Sequence, residues 1–332
     1  MNDILFIRFS SLGDIVLTSA VIEAFRKKYH DARIYYMTRN EYSGLFYKDN
    51  RIDELITVHS GESPVQIIKR SGKETYDAVI DLHGTLRSRM ITALLKSPRK
   101  IRLNKHAIAR RFMVWSHNRY RRQFDVLESY LDTLRPFGIR GKLLPCLKPS
   151  DECLRTARVI LGLHCKDKPF KCIGIAPGAK HSEKRWNEKS YANLADEMVK
   201  AGHTPIFIGD MGDKDIIERI RSIMTAESLS LAGQIDLSVT VGVISLLKVL
   251  ITNDSGPMHI AGAAGTPFVA VFGPTHPDLG FVPGYPSGAV LHSGISCSPC
   301  SIHGEKPCRM KRRFCMDEIT VEMVLEEVKK VT

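Results

Sequence analysis

Twice along this chain, short apolar runs of strand length alternate with segments whose apolar residues recur at helical spacing, and the alternation restarts midway. The first half opens with "ILFIRF", and the spacing of Leu17, Ala20, Val21, Ala24 and Phe25 predicts a helix over 15–29. "RIYYM", "ELITV" and "YDAVIDL" read as further strands, each followed by a helical segment. The second half restarts at "KCIGIAP", after a Pro-, Gly- and Lys-containing passage over 138–150 and a helix over 151–162. Tyr191, Leu194, Ala195, Met198 and Val199 form the stripe of its next helix; "TPIFIGD", "LKVLITND" and "FVAVFGP" continue the alternation, and "EITVEMVLEEVKKV" is a terminal helix. Consecutive parallel strands need a crossover, so this pattern predicts α/β architecture with doubly wound parallel sheets. We expect two Rossmann-like domains, 1–150 and 151–332, with the terminal helix a candidate to pack back on the first. Such sheets bind ligands outside the carboxyl ends of their strands, and two facing domains create a cleft there.

The composition suits a buried core, with 43% hydrophobic residues among 332. No apolar stretch approaches the roughly 20 residues needed to span a bilayer. The N-terminus, "MNDILFIRFSSLGD", carries an acid at position 3 and a charge inside its first apolar run, which does not suit a secretory signal and predicts a cytoplasmic protein. Net charge is +12, and the 87–122 segment holds 12 Lys or Arg and no acid, so this one stretch equals the whole excess. A local excess of that size predicts an anionic partner: nucleic acid, phospholipid headgroups or a phosphorylated substrate. The plain alternative is a solvated basic face. The turn after the first strand lacks G-x-G-x-x-G, and no G-x-x-x-x-G-K-[ST] occurs, which disfavours a dinucleotide enzyme of the usual type and a P-loop ATPase.

Three passages carry candidate chemistry. In "TNDSGPMHIAGAAGTPFVAVFGPT" (252–275) a strand ends in Asn253-Asp254-Ser255-Gly256, and Pro257 suits the first turn of the next helix. A helix N-terminus there presents N–H groups and a positive dipole end to an anion such as a diphosphate; a capped helix is the alternative. "IAPGAKHSEKRWNEKSY" breaks a strand at Pro177-Gly178 and leads to Lys184, Arg185 and Trp186, loop cations able to neutralise phosphate, beside an indole that can equally be packing. "FIGDMGDKD" ends a strand with Asp210, Asp213 and Asp215, acceptors for ribose hydroxyls or helix caps.

Together with "ILFIRFSSLGDIVLTSAVIEAFRKKY" and "YDAVIDLHGTLRS", the passages "PGAKHSEKRW" and "NDSGPMHIAGAAGTPFVAVFGPT" resemble glycosyltransferase family 9, the lipopolysaccharide heptosyltransferases, over nearly the whole chain. The resemblance implies a GT-B fold, with an acceptor on the first domain and an ADP-sugar, typically ADP-heptose, on the second. It implies inverting, metal-independent transfer with Asp14 of the S-S-x-G-D loop as general base; Gly13 permits the tight backbone, and Ser10 and Ser11 position the base or touch the donor. The alternative for Asp14 is a cap on the helix that follows. Lys184 falls on the family's diphosphate-binding Lys, Asp254, Ser255, Gly256 and His259 on its donor turn, and Ala179 and Lys180 where backbone groups meet the nucleotide; Asp210 is assigned to the same donor site. Family acceptors are anionic inner-core sugars on a lipid A anchor. Arg87, Arg119, Arg121 and Arg122 are therefore acceptor candidates, and the enzyme is expected on the cytoplasmic face of the inner membrane, with no nucleic-acid partner. Phe112, Met113, Val114 and Trp115 interrupt the charges, as core or as a shallow membrane contact.

Cys297, Cys300, Cys308 and Cys315 have spacing that can encode a structural zinc site; an iron–sulfur cluster, reduced thiols or a redox pair are the other readings, and sugar transfer requires none of these as a cofactor. Two rival functions stand beside the main one: a transferase of the same fold with another nucleotide sugar or acceptor, and a nucleic-acid-binding protein using 87–122. The second leaves the "NDSGPMH" and "PGAKHSEKRW" loops without a role.

Overall fold

A computed structural model describes residues 2–104, 107–116, 123–165 and 171–332. The chain forms two compact units, Met1–His106 with Asp125–Lys148, and Ala107–Phe124 with Pro149–Thr332. The boundary near 148 falls inside the expected linker passage. The 107–124 segment, however, groups with the second unit although it lies within the 1–150 domain read from sequence. Packing accounts for the difference, because Met113 and Val114 are buried against Leu279.

In the first unit β1 (Asp3–Ile7), β2 (Arg33–Arg39), β3 (Glu54–Val58), β4 (Ala78–Asp81) and β5 (Lys100–Arg102) form a parallel sheet in the order β3-β2-β1-β4-β5. Helices α1 (Leu12–Lys28), α2 (Pro64–Ser71) and α3 (Leu86–Leu94) follow β1, β3 and β4, and α5 (Val126–Leu131) packs on α1; α4 (Ala107–Trp115) belongs to the second unit. Helix α1 starts three residues earlier than its apolar spacing indicates, because extended Ser11 is its N-cap and the polar first turn is already helical.

The second unit orders β6 (Cys172–Ala176), β7 (Thr204–Phe207), β8 (Leu229–Ser230), β9 (Val249–Asn253), β10 (Phe268–Phe272) and β11 (Gly288–His292) as β11-β10-β9-β6-β7-β8, again all parallel. Its helices are α6 (Asp151–Cys165), α7 (Glu188–Lys200), α8 (Lys214–Ile223), α9 (Leu237–Ser245), α10 (Gly256–Ala264), α11 (Phe314–Asp317) and α12 (Val321–Val331). Val324 and Val328 join the core beneath β10, β11 and α7 of their own unit.

In both sheets the strand order reverses beside the first strand of the unit, between β1 and β4 and between β6 and β9. Loops leaving such neighbouring strands diverge and open a crevice at their carboxyl ends. Asp14 and Arg87 follow the first pair, whereas Lys184 and Asp254 follow the second.

Close packing of α6 on α9 depends on Gly242, where a Cβ would lie 2.9 Å from the Cys153 carbonyl oxygen. Backbone cannot yield as a side-chain tip can. Gly242→Ala is therefore expected to lower unfolding free energy by about 1–3 kcal/mol in urea titration; unchanged stability would show that the two helices separate at little cost.

Candidate active site

Arg8 extends the β1 register, its N–H bonded to the Met37 carbonyl, and its side chain is only 6% exposed. A buried guanidinium needs partners. Its Nη1 donates to the Leu82 carbonyl at 2.7 Å and its Nη2 lies 2.6 Å from Asp14 Oδ2. Ser11 Oγ donates to the same carboxylate oxygen at 2.7 Å, and Tyr130 Oη, from α5, donates to Oδ1 at 2.9 Å while its ring lies 5.5 Å from the Arg8 guanidinium. The Ser11 backbone N–H also reaches Oδ2, at 3.3 Å, so Asp14 at the third position of α1 does help cap the helix. Capping and chemistry are not exclusive here, because the Asp14 side chain remains 19% exposed.

Burial by itself would raise the Asp14 pKa, but the Arg8 charge and the hydrogen bonds from Ser11 and Tyr130 outweigh it and hold the carboxyl well below the usual carboxylate range. Burial, together with the neighbouring carboxylate that accepts its proton, keeps the Tyr130 phenol protonated far above its ordinary value, although Arg8 opposes the rise. Asp14 is thus an acceptor throughout the neutral range, with both oxygens engaged and one edge accessible.

The loop after β4 is tied down by buried Asp81, which accepts from the backbone N–H groups of His83 and Gly84 at 2.9 and 2.7 Å and from Ser88 Oγ at 3.0 Å. Arg87 projects from the start of α3, donates to the Glu62 carbonyl and lies 6.0 Å from the Phe9 ring. It therefore shares the crevice edge of β1 and β4 with the Asp14 loop. Arg119, Arg121 and Arg122 lie outside the described residues.

In the second unit Asn253, fully buried at the end of β9, joins the neighbouring loops. Its Oδ1 accepts from the Trp186 backbone N–H and from Tyr191 Oη, both at 2.9 Å, and its Nδ2 donates to the Pro177 carbonyl at 2.7 Å. Trp186 is packing: its ring is buried and its Nε1 donates to the Ile319 carbonyl. The clamp brings Lys184 Nζ to 2.6 Å from Asp254 Oδ2, which also accepts from Thr275 Oγ1 at 2.7 Å. Burial opposes ionisation of Asp254, yet Lys184 and Thr275 hold its pKa below the ordinary value. Asp254 is consequently engaged in placing Lys184 beside the N-terminus of α10, where Ser255 is the extended cap and Gly256-Pro257 the first turn. His259 is buried one turn into the same helix, and its field also favours the Asp254 anion.

Ala179 is buried and its carbonyl accepts from Arg185 Nε at 2.9 Å; Lys180 is exposed. Asp210 Oδ1 accepts from the N–H groups of Gly212 and Asp213 at 2.7 and 3.2 Å, so it caps the turn into α8. Burial and the Asp210 charge raise the Asp213 pKa, and this carboxyl lies so close to Gly178 that a Cβ there would come within 2.2 Å of it.

The four clustered cysteines line one small cavity with Pro274, Ile295 and Phe314. Among the described residues no group of three or more His, Cys, Asp or Glu is gathered tightly enough to hold a metal ion. Cys300 and Cys308 direct their sulfurs toward the carbonyls of Pro274 and Arg312, and burial plus the neighbouring sulfurs push the Cys315 thiol up to about 12. The segment contributes through its backbone and Arg313. Gly304, at φ +79°, packs so closely on the Lys184 stem that a Cβ would sit 2.4 Å from its Cγ, and Arg313 Nη1 donates to the carbonyls of Ser182 and Arg185.

Arg8, Tyr130, Thr275 and Gly304 escaped the sequence reading, which named Asn253 only as part of the turn that ends its strand. Arg8 alone left a signal, a charge inside an apolar strand. The others reach the site from distant positions, as Tyr130 does across 116 residues.

Two doubly wound units, each with a crevice at its strand switch point, are an α/β architecture that glycosyltransferases share with other enzymes. The chain belongs to glycosyltransferase family 9 (heptosyltransferase), whose family model matches residues 65–312. It is similar to the lipooligosaccharide heptosyltransferase 2 of Campylobacter jejuni, 29% identical over 170 residues that span 49% of this chain and 52% of that one. The Haemophilus influenzae protein of the same name is 26% identical over 301 residues, 83% of this chain and 84% of the relative. The solved structure of Escherichia coli ADP-heptose lps heptosyltransferase II superposes with a TM-score of 0.76 at 23% identity, covering 100% of this chain and 98% of that one.

The Arg8–Asp14 pair predicts a pH-dependent stability. Because the folded Asp14 pKa is depressed, its contribution is complete above the ordinary Asp range and disappears as pH falls through the depressed value. Arg8→Met should cost about 3 kcal/mol at neutral pH, and the deficit should shrink in acid, below the pKa of free Asp. Chemical denaturation at neutral and acid pH checks this; a pH-independent deficit would assign the loss to packing.

Proposed function

We propose that the protein transfers heptose from ADP-heptose to the anionic inner core of lipopolysaccharide, by inverting, metal-independent displacement with Asp14 as general base. The observation that carries this reading is the Asp14 carboxylate, ionised and partly accessible at the crevice end of β1. Family membership and the heptosyltransferase names of the relatives support the sugar; the lipid-anchored core acceptor supports work at the cytoplasmic face of the inner membrane.

In the step itself an acceptor hydroxyl oxygen bonds to the anomeric carbon while the bond from that carbon to the diphosphate oxygen breaks. The hydroxyl proton passes to Asp14, and the electron pair leaves with ADP. Attack opposite the leaving group inverts the anomeric configuration. A carboxylate this stabilised is a weak base toward a resting alcohol, so proton transfer comes late, once the forming C–O bond has acidified the hydroxyl. Lys184 and the N–H groups opening α10 oppose the charge growing on the leaving diphosphate, the role that a divalent metal fills in other transferases. Asp254 and Thr275 position Lys184 for it. Arg87 faces the anions of the acceptor core.

Asp14→Asn keeps the side-chain shape and removes the proton acceptor. It should lower kcat by about 10²–10⁴-fold with ADP affinity, measured by calorimetry, almost unchanged; near-normal turnover would reduce Asp14 to a cap and counter-ion. Lys184→Ala should weaken ADP binding about 10–100-fold in buffer containing EDTA, the loss expected for a hydrogen bond between charged groups. Tighter binding of UDP or GDP than of ADP by the wild type would keep the transferase and replace its donor.

A further inference from the structure

Helix α4 exposes what a soluble helix ordinarily hides. On its inner side Met113 and Val114 are buried against Leu279, and the Arg110 guanidinium lies 5.2 Å from the Phe281 ring, which fixes the helix to the second unit. On its outer side Ile108, Phe112 and Trp115 are 85%, 50% and 77% exposed. The spacing is i, i+4, i+7, one continuous face, with exposed Arg111 inside it. The Phe112 and Trp115 rings lie 5.6 Å apart, so the face is a contiguous aromatic-aliphatic patch. Core and contact readings of "FMVW" therefore divide residue by residue: Met113 and Val114 are core, Phe112 and Trp115 are surface.

We infer that this face docks on an anionic bilayer surface, with Ile108, Phe112 and Trp115 entering the headgroup–acyl boundary and Arg111 on the lipid phosphates; the inference deepens the proposed lipid-anchored acceptor by naming the contact. The occupant follows from charge. Helix α4 itself carries Arg110 and Arg111 and no acid, which makes the face complementary to anionic lipid and self-repelling toward a second copy of the same surface. A large aromatic residue beside Arg on an exposed apolar helix face is the composition that partitions into a membrane interface.

The chain supplies its own reporter, since it has 2 Trp and Trp186 is 1% exposed, leaving Trp115 as the one that solvent sees. Wild-type protein is mixed with phosphatidylethanolamine vesicles containing phosphatidylglycerol, with no sugar nucleotide present. The Trp115 emission should shift to the blue, and the protein should co-sediment. The variant Ile108→Ser/Phe112→Ser/Trp115→Ser should lose at least about tenfold in partitioning. Its transfer to a delipidated, water-soluble core acceptor should stay at the wild-type level, which separates failure of the docking face from failure of the proposed transfer. Unmoved Trp115 emission on vesicles overturns the inference without reliance on any variant. So does a folded triple variant that partitions like wild type, since charge alone would then suffice, or a face whose substitution abolishes self-association while vesicles go unbound.

Discussion

The ion pair between Arg8 and Asp14 is the interaction on which the crevice of the first unit depends. Arg8 sits where β1 enters the crevice, in a position where an uncompensated cation would be untenable. Its two terminal nitrogens connect the Leu82 carbonyl, just past β4, to the first turn of α1. The switch point of the sheet, otherwise a place where loops diverge, is thereby tied across. The same contact decides the protonation state of the carboxylate at the crevice, so the group that stabilises the loop also sets its chemistry. A carboxylate held this way trades base strength for permanent ionisation and fixed direction. That exchange suits a displacement in which the hydroxyl becomes acidic only as its oxygen bonds to carbon.

The second unit solves a matching problem with different residues. A cation is wanted at a helix N-terminus, where the helix dipole already repels it. Asp254 supplies the compensating charge, Thr275 orients it, and Asn253 keeps the two loops in register by bonding to Trp186, Tyr191 and Pro177 at once. Gly304 and Arg313 complete the seat from the cysteine-containing segment. That segment acts on Lys184 through close backbone approach and carbonyl contacts.

The architecture was legible because parallel sheets buried on both faces write near-continuous apolar runs, and because "SSLGD", "PGAKHSEKRW" and "NDSGPMH" all sit where such runs end. Short strands were not legible: β5 is three residues of Lys-Ile-Arg and β8 only Leu-Ser, without enough apolar pattern to be seen. Asp14, Lys184 and Asp254 could be named from sequence, but their mutual arrangement could not. Pairing of Lys184 with Asp254 spans 70 positions of chain and pairing of Asp14 with Tyr130 spans 116, distances over which only the folded topology specifies contact. Asp210 could be named as well, and its Oδ1 accepts two backbone N–H groups, the capping role that the sequence reading set beside a ribose contact.

The basic segment shows how charge read along a chain differs from charge on a molecule. Counted linearly, 87–122 is one patch that accounts for the whole net charge. In the fold it divides: α3, bearing Arg87, belongs to the first unit, and α4, bearing Arg110 and Arg111, belongs to the second. Arg87 stands at the crevice edge beside Phe9, Arg110 is spent on the Phe281 ring, and Arg111 shares an outward face with Ile108, Phe112 and Trp115. Three neighbours in one acid-free run thus meet three different environments. What the run does share is the absence of any carboxylate of its own, although the crevice edge that Arg87 occupies also carries the Asp14 carboxylate.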